Sequence, residues 1–184
     1  FEGYETFKGL SYHTGRWPHE GVNFSGLRVG VIGTGSSAIQ SIPEIAKEAS
    51  QLTVFQRTAN YTIPARNAEL TEDYVSSIKA DYPGLRERAR NKPAGYDIPL
   101  NSQSVLEVGR EDANIEFQRR WELGGTQFLG AYGDLLLNPD ANKVAADFVK
   151  RKIREIVSDP EIAELLCPPN IIGCKRLCVD TDYY

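Results

Sequence analysis

The run Leu27-Arg28-Val29-Gly30-Val31-Ile32, broken at once by Gly33-Thr34-Gly35, constrains this chain more than any other feature. A short β-branched run of this kind suits a buried parallel strand. The glycines end it and a helix follows, in which Ile39, Ile42, Ala46 and Ala49 recur at spacings of three and four and give one apolar stripe. Pro43 falls inside that helix, where its missing N–H should kink the helix or leave the first turns slightly separate. A second strand, Leu52-Thr53-Val54-Phe55-Gln56, ends at Arg57. Strand, helix and strand in this order form a βαβ unit, which needs a right-handed crossover and belongs to a parallel sheet.

Gly33-Thr34-Gly35-Ser36-Ser37-Ala38 has the form G-x-G-x-x-A. Gly33 permits the tight turn out of the strand, Gly35 lets a dinucleotide pyrophosphate approach the backbone, and Ala38 keeps the helix close to the strand. The N–H groups opening the helix, those of Ser36 and Ser37 among them, face the phosphates with partial positive charge. Thr34 and Gln40 complete the candidate contacts of this loop. Alone, such a motif is equally a glycine turn with a structural role. Behind a strand, opening a helix and followed by a second strand at the expected distance, it points to nucleotide binding.

The end of the second strand selects the nucleotide. An NAD site places Asp or Glu about twenty residues beyond the glycines to accept from the ribose hydroxyls. Here no acidic residue lies between Glu48 and Glu69, and Arg57 and Thr58 stand where the carboxylate would be. A carboxylate repels a 2′-phosphate, whereas a guanidinium fork pairs with it. NADP is favoured over NAD; the competing reading of Arg57 is a solvated surface residue.

Residues 1–24 are rich in Gly, His, Pro and aromatics without periodicity and read as an irregular approach segment. Residues 25–69 hold the βαβ unit. From 70 to 166 the pattern turns helical, with Tyr74, Ile78, Tyr82 and Leu85 in one stripe and Ala145, Val149, Ile153 and Ile156 in another. Ser104–Leu123 reads as a further helix ending at Gly124-Gly125, and Asp159-Pro160 as a cap with Pro at the first helical position. Such a stretch exceeds what a doubly wound domain needs, and implies a helical insertion on a nucleotide-binding core. Residues 167–184 contain Lys175-Arg176-Leu177-Cys178-Val179, a possible return to the sheet. Lys175-Arg176 is a cationic pair at a strand start, equally readable as a solvated edge.

Bulk properties narrow the classes. Lys and Arg number 21 against 25 Asp and Glu, a formal charge of −4 that argues against a nucleic-acid surface. No apolar run reaches membrane-spanning length and no signal-peptide pattern opens the chain, so a cytoplasmic location is expected. Cys167, Cys174 and Cys178 are an odd set without a fourth ligand nearby, since His13 and His19 lie far off in sequence; structural thiols are expected rather than a metal site. The sequence has no Met and opens on Phe1, which suggests a piece from the middle of a longer chain.

Phe7-Lys8-Gly9-Leu10-Ser11-Tyr12-His13-Thr14-Gly15-Arg16-Trp17-Pro18 matches F-x-G-x-x-x-H-x-x-x-W-P, and the chain thereby resembles the type I Baeyer–Villiger monooxygenases. The glycine loop, Val54-Phe55-Gln56-Arg57-Thr58, Ile63-Pro64-Ala65-Arg66-Asn67, the helical insertion and Gly173-Cys174-Lys175-Arg176 also fit, so the resemblance runs along essentially the whole chain. Related flavin N- and S-oxygenating enzymes lack the terminal Trp of the motif, so Trp17 carries the distinction. Ala38 stands where many members have Gly.

The resemblance implies an α/β fold: a Rossmann-like NADPH-binding core with a large helical insertion, an incomplete domain of a flavoprotein with two dinucleotide-binding domains. It implies FAD and NADPH as cofactors, and a ketone and O2 as substrates, converted to an ester or lactone through a flavin C4a-peroxide. It assigns the loop to the NADPH pyrophosphate, Arg57, Thr58 and Lys175 to the 2′-phosphate, and Arg176 to the active site beside the flavin, where it steadies the anionic peroxide. Phe7, Gly9, His13 and Trp17 fall in the hinge between the FAD and NADPH regions. Read by itself, His13 is open between hinge hydrogen bonding and catalysis, and Trp17 reads as packing. Only one glycine loop is present, so this piece alone is expected to lack monooxygenase activity. The alternatives are a flavin N- or S-monooxygenase and a non-catalytic NADP-binding module.

Overall fold

In a computed structural model describing residues 2–92 and 95–184, β1 (Arg28–Ile32) and β2 (Gln51–Phe55) pair in parallel, from Arg28↔Gln51 to Ile32↔Phe55. Phe1, in the approach segment, and Pro93 and Ala94, in the helical insertion, lie outside the described residues. α1 (Ser36–Glu48) joins the two strands and packs on both. Contrary to the expectation of a buried strand, neither strand is fully buried. Their residues alternate between exposed and half-buried, and Ile32 and Phe55 keep 70% and 58% of their surface exposed. α1 covers one side of the pair, and the residues facing the other side are exposed.

The stripe of α1 is also shifted. Ala38, Ile39, Ile42 and Ile45 are buried, whereas Ala46 is exposed and Ala49 is the C-cap. Pro43 supplies no N–H for the carbonyl of Ile39, yet the helix is continuous and the ring itself is buried in the packed face.

A second parallel pair has no counterpart in the sequence pattern. β3 (Thr62–Pro64) aligns with β4 (Cys178–Asp180), from Thr62↔Cys178 to Pro64↔Asp180. The chain does return after Lys175-Arg176, but onto β3, with α1 packed against β4. Cys178 N–H donates to Tyr61 O (3.0 Å) and Ala65 N–H to Asp180 O (2.7 Å), extending the ladder at both ends. The buried Asp180 carboxylate accepts from Thr62 Oγ1 and from Tyr183 N–H (3.2 Å). Burial pushes its pKa up, against the lowering effect of the Tyr183 bond.

In the helical region two expected elements divide. The Tyr74 to Leu85 stripe forms α2 (Glu72–Ala80) and α3 (Tyr82–Arg90), because Asp81 turns out of the helix and accepts from Gly84 N–H (3.2 Å) ahead of Pro83. Neither helix buries a residue. The helix expected from Ser104 begins at Arg110: Ser104 caps a 3-10 turn, Val105–Glu107, and Gly109 opens α4 (Arg110–Leu123). α5 (Pro139–Ile156) is capped by Asn138, and α6 (Pro160–Leu166) by Asp159, as its sequence indicates. Ala145, Val149 and Ile153 are buried along α5, while Ile156 at its end is 45% exposed.

The main core lies here. Phe117, Trp121, Phe128, Tyr132 and Phe148 form an aromatic cluster, with Phe117 and Phe128 stacked at 5.4 Å between ring centroids. Tyr61 and Ile63, on and beside β3, belong to the same cluster. The helical layer and the second sheet are therefore packed as one core, so strain in one reaches the other. Among the described residues no helix is long and apolar enough to cross a membrane.

Candidate functional site

The G-x-G-x-x-A loop turns out of β1 through Gly33, whose φ of 101° lies in the region favouring glycine. Gly33 N–H donates to Phe55 O (2.9 Å), tying the loop to the end of β2. Thr34, buried, donates from Oγ1 to Thr58 O (3.3 Å). The turn after β2 is thereby held beside the loop, and the two strand ends open on the same side.

α1 opens toward this junction. Its N-cap, Gly35, supplies no side-chain hydrogen bond and no acidic residue occupies its first turn. The first N–H groups and the positive end of the helix are consequently free of a side-chain acceptor. Gly35 itself has φ −83°, a conformation open to any residue, and a Cβ built there meets nothing within 4 Å. Nothing in the chain's own packing asks for glycine at this position. The bare Cα lines empty space, which is the space a phosphate approaching the helix end would take.

Six residues line a pocket of about 230 Å³ at this junction: Thr34, Gly35, Arg57, Thr58, Asn60 and Lys175. It draws on the glycine loop, the end of β2 and the turn before β4, three segments far apart in sequence. Arg57 and Lys175 are exposed and, among the described residues, neither is in an ion pair. Two unpaired cations beside an open helix N-terminus form a concave anion site. Gly33, Ser36, Ser37 and Ala38 belong to the same loop and first turn without lining the pocket. Ser36 Oγ lies 3.4 Å from Cys178 Sγ, and Gln40 Nε2 donates back to Ser36 O (3.0 Å), along α1 and outside the pocket. Arg176 adjoins the pocket in sequence with its side chain exposed.

Asn60 was not singled out by sequence. Its Nδ2 donates to Arg176 O (3.4 Å) and contacts Cys178 Sγ (3.1 Å). Its only sequence signal is proximity to Arg57; the pairing of β3 with β4 is what brings it to the pocket.

The F-x-G-x-x-x-H-x-x-x-W-P segment sits apart from the pocket lining and is held by its own contacts. A Cβ on Gly9 would meet the Phe7 ring at 2.6 Å, so the F-x-G spacing seats that ring over bare backbone. His13 caps a 3-10 turn, Thr14–Arg16, its Nδ1 accepting from Gly15 N–H (3.0 Å), which places the proton of the neutral ring on Nε2. Trp17 packs between Tyr12 (5.8 Å) and Phe24 (6.1 Å). Phe7 and Trp17 remain 63% and 40% exposed, an apolar surface within an extended segment.

The free space at Gly35 gives a sharp expectation. Gly35→Ala should fold with unchanged stability, since its Cβ meets no protein atom, while dinucleotide affinity falls by about tenfold or more as the methyl group displaces the phosphate. Thermal melts alongside a binding titration check this. A melting point lowered together with affinity would mean that Gly35 serves the fold instead.

No protein-family model matches the chain. It is similar over 184 residues to the phenazine N-monooxygenase PhzNO1 of Lysobacter antibioticus, at 38% identity, covering 99% of the chain and 34% of that protein. Over 185 residues it is 40% identical to cyclohexanone 1,2-monooxygenase of an Acinetobacter species, covering 100% of the chain and again 34% of the relative. Among solved structures, an oxidized steroid monooxygenase bound to NADP superposes with a TM-score of 0.95 at 48% identity, covering 100% of the chain and 35% of that protein. Other superposing structures hold FAD and NADP together. The chain thus spans about a third of the length of the relatives it matches.

Proposed function

We propose that the chain, similar along its whole length to FAD- and NADPH-dependent Baeyer–Villiger-like flavoprotein monooxygenases, forms most of the NADPH-binding region of an enzyme that inserts oxygen beside a ketone carbonyl. The observation that carries the nucleotide reading is the meeting of Arg57 and Lys175 at the open N-terminus of α1. The glycine loop and the first N–H groups of α1 hold the pyrophosphate. Arg57, Thr58 and Lys175 hold the 2′-phosphate, which explains why no carboxylate ends β2.

FAD, when bound, would supply the oxygen-activating chemistry. Arg176 would supply a cation where negative charge develops on the reacting atoms, lowering the cost of that charge. Its side chain is exposed and, among the described residues, unpaired, so its charge is available for that role. The Phe7 to Pro18 segment acts as a hinge: the turn capped by His13 and the packing of Trp17 give it a defined shape without fastening it to the pocket. In this reading His13 positions backbone and does no chemistry. The proposed organisation is a hinge over residues 1–24, the nucleotide βαβ unit over 25–69, the helical layer over 70–166 and the cationic return over 167–184.

A second reading, N-oxygenation of an aromatic heterocycle, is favoured by the 38% identity to a phenazine N-monooxygenase. Product analysis separates the two. The whole flavoprotein containing this region, loaded with FAD and given NADPH, O2 and either a cyclic ketone or phenazine, is expected to yield lactone. N-oxide as the sole product would replace ketone oxygenation with the second reading, and NADPH consumption with neither product would contradict both.

A further inference from the structure

The turn that carries Lys175 and Arg176 is held at both ends by side-chain amides from two different parts of the fold. At its start stands Asn142 of α5, only 4% exposed. Its Nδ2 donates to Ile172 O (2.8 Å) and to Leu135 O (2.8 Å), and its Oδ1 accepts from Ile172 N–H (3.0 Å). Both backbone groups of Ile172 are thus satisfied by one side chain, as a partner strand would satisfy them. Next, Gly173 turns at φ 91° against Leu136, where a Cβ would come within 2.5 Å of Leu136 Cδ2. At the far end Asn60 Nδ2 donates to Arg176 O, and Cys178 enters β4 by bonding Tyr61 O. Between these anchors Cys174, Lys175 and Arg176 are exposed.

Fixing the backbone while leaving the cations in solvent is the arrangement that preorganises charge. A lysine on a mobile turn loses more freedom when it meets a phosphate than one whose backbone is already placed. Resting on the NADPH reading above, we propose that Asn142 and Asn60 are positioning residues for the Lys175–Arg176 turn, so that the helical layer, through Asn142, sets how strongly the pocket distinguishes a 2′-phosphate from a 2′-hydroxyl. Asn142 is buried on α5 and is not among the residues lining the pocket, so its influence on the nucleotide passes through the backbone at Ile172.

The test is the ratio of NADH to NADPH dissociation constants, measured by titration for wild type, Asn142→Ala and Asn60→Ala, each shown to be folded by circular dichroism at the titration temperature. The wild-type ratio should fall about tenfold in Asn142→Ala, corresponding to one charge-assisted contact, while NADH affinity changes little. A purely structural amide would lower the melting point and leave the ratio unchanged. Amide hydrogen exchange on wild type gives a second readout: NADPH should slow exchange at Ile172 and Cys178 more than NADH does. If Asn142→Ala does not fold, the ratio in Asn60→Ala and the exchange pattern decide. An unchanged ratio in the folded variants, with equal exchange under both nucleotides, overturns the inference. A wild-type ratio near one would overturn the NADPH reading and this inference with it, which separates the two failures.

Discussion

Arg57→Ala is expected to weaken NADPH binding by about 10- to 100-fold and to leave NADH binding nearly unchanged. The range follows from the loss of one hydrogen-bonded charge pair, worth roughly 1.5–3 kcal/mol. The asymmetry follows from position. Arg57 lies two residues past β2 beside Thr58, where the proposed reading puts the adenosine ribose, away from the pyrophosphate that it assigns to the loop and α1. Lys175→Ala should act in the same direction with a smaller loss, since an ammonium is a point charge without the bidentate fork of a guanidinium. Raising the salt concentration should shrink the NADPH advantage, because both cations are exposed. Dissociation constants for the two nucleotides, taken at two ionic strengths, provide the check. Equal losses for NADPH and NADH would mean that Arg57 serves the shared part of the molecule and not the 2′-phosphate.

The largest effect on stability is expected from Gly124→Ala. Gly124 ends α4 at φ 73°, ψ −177°, a region essentially restricted to glycine. An added Cβ would lie 2.7 Å from Pro64 O and 2.8 Å from Ala65 O, backbone atoms at the end of β3 that have no room to give. Strain and overpacking together set a cost of about 3–5 kcal/mol, a large share of a typical domain's stability. The neighbouring Gly125 is a built-in control. Its φ is 61° but a Cβ there meets nothing within 4 Å, so Gly125→Ala should cost only about 1–2 kcal/mol. Denaturant midpoints for the two variants check the contrast, and similar losses would show that Gly124 is not packed against β3 as described.

The parts of this protein that sequence made legible are those governed by local rules. The glycine loop, the cap of α6 by Asp159 and the stop of α4 at Gly124 each depend on residues within a few positions of one another, and the first parallel pair joins strands separated only by the helix between them. Local ambiguity cost accuracy where two signals competed. Asp81 followed by Pro83 overrides the apolar spacing from Tyr74 to Leu85, and Gly109 divides what Ser104 to Leu123 otherwise presents as one helix. In α1 the buried stripe passes through Ile45, because the helix is oriented by packing on two sheets at once.

Non-local features were hidden for a physical reason. β3 is three residues long and carries no periodicity of its own; it exists because β4 arrives beside it from more than a hundred residues away. Asn60 reaches the pocket only through that pairing, and Asn142 reads in sequence as one polar residue on a helix. The cationic turn shows the same limit. Lys175-Arg176 is as consistent with a solvated edge as with a site until the structure puts Lys175 into a pocket with Arg57, Thr34 and Gly35.

The central claim is that this pocket recognises the 2′-phosphate of NADPH, and calorimetric titration of the folded wild-type protein with NADPH and NADH tests it most directly. NADPH should bind at least about tenfold more tightly than NADH, with the difference falling as salt rises. Equal affinities, or no binding of either nucleotide to protein whose circular dichroism shows it to be folded, would contradict the account.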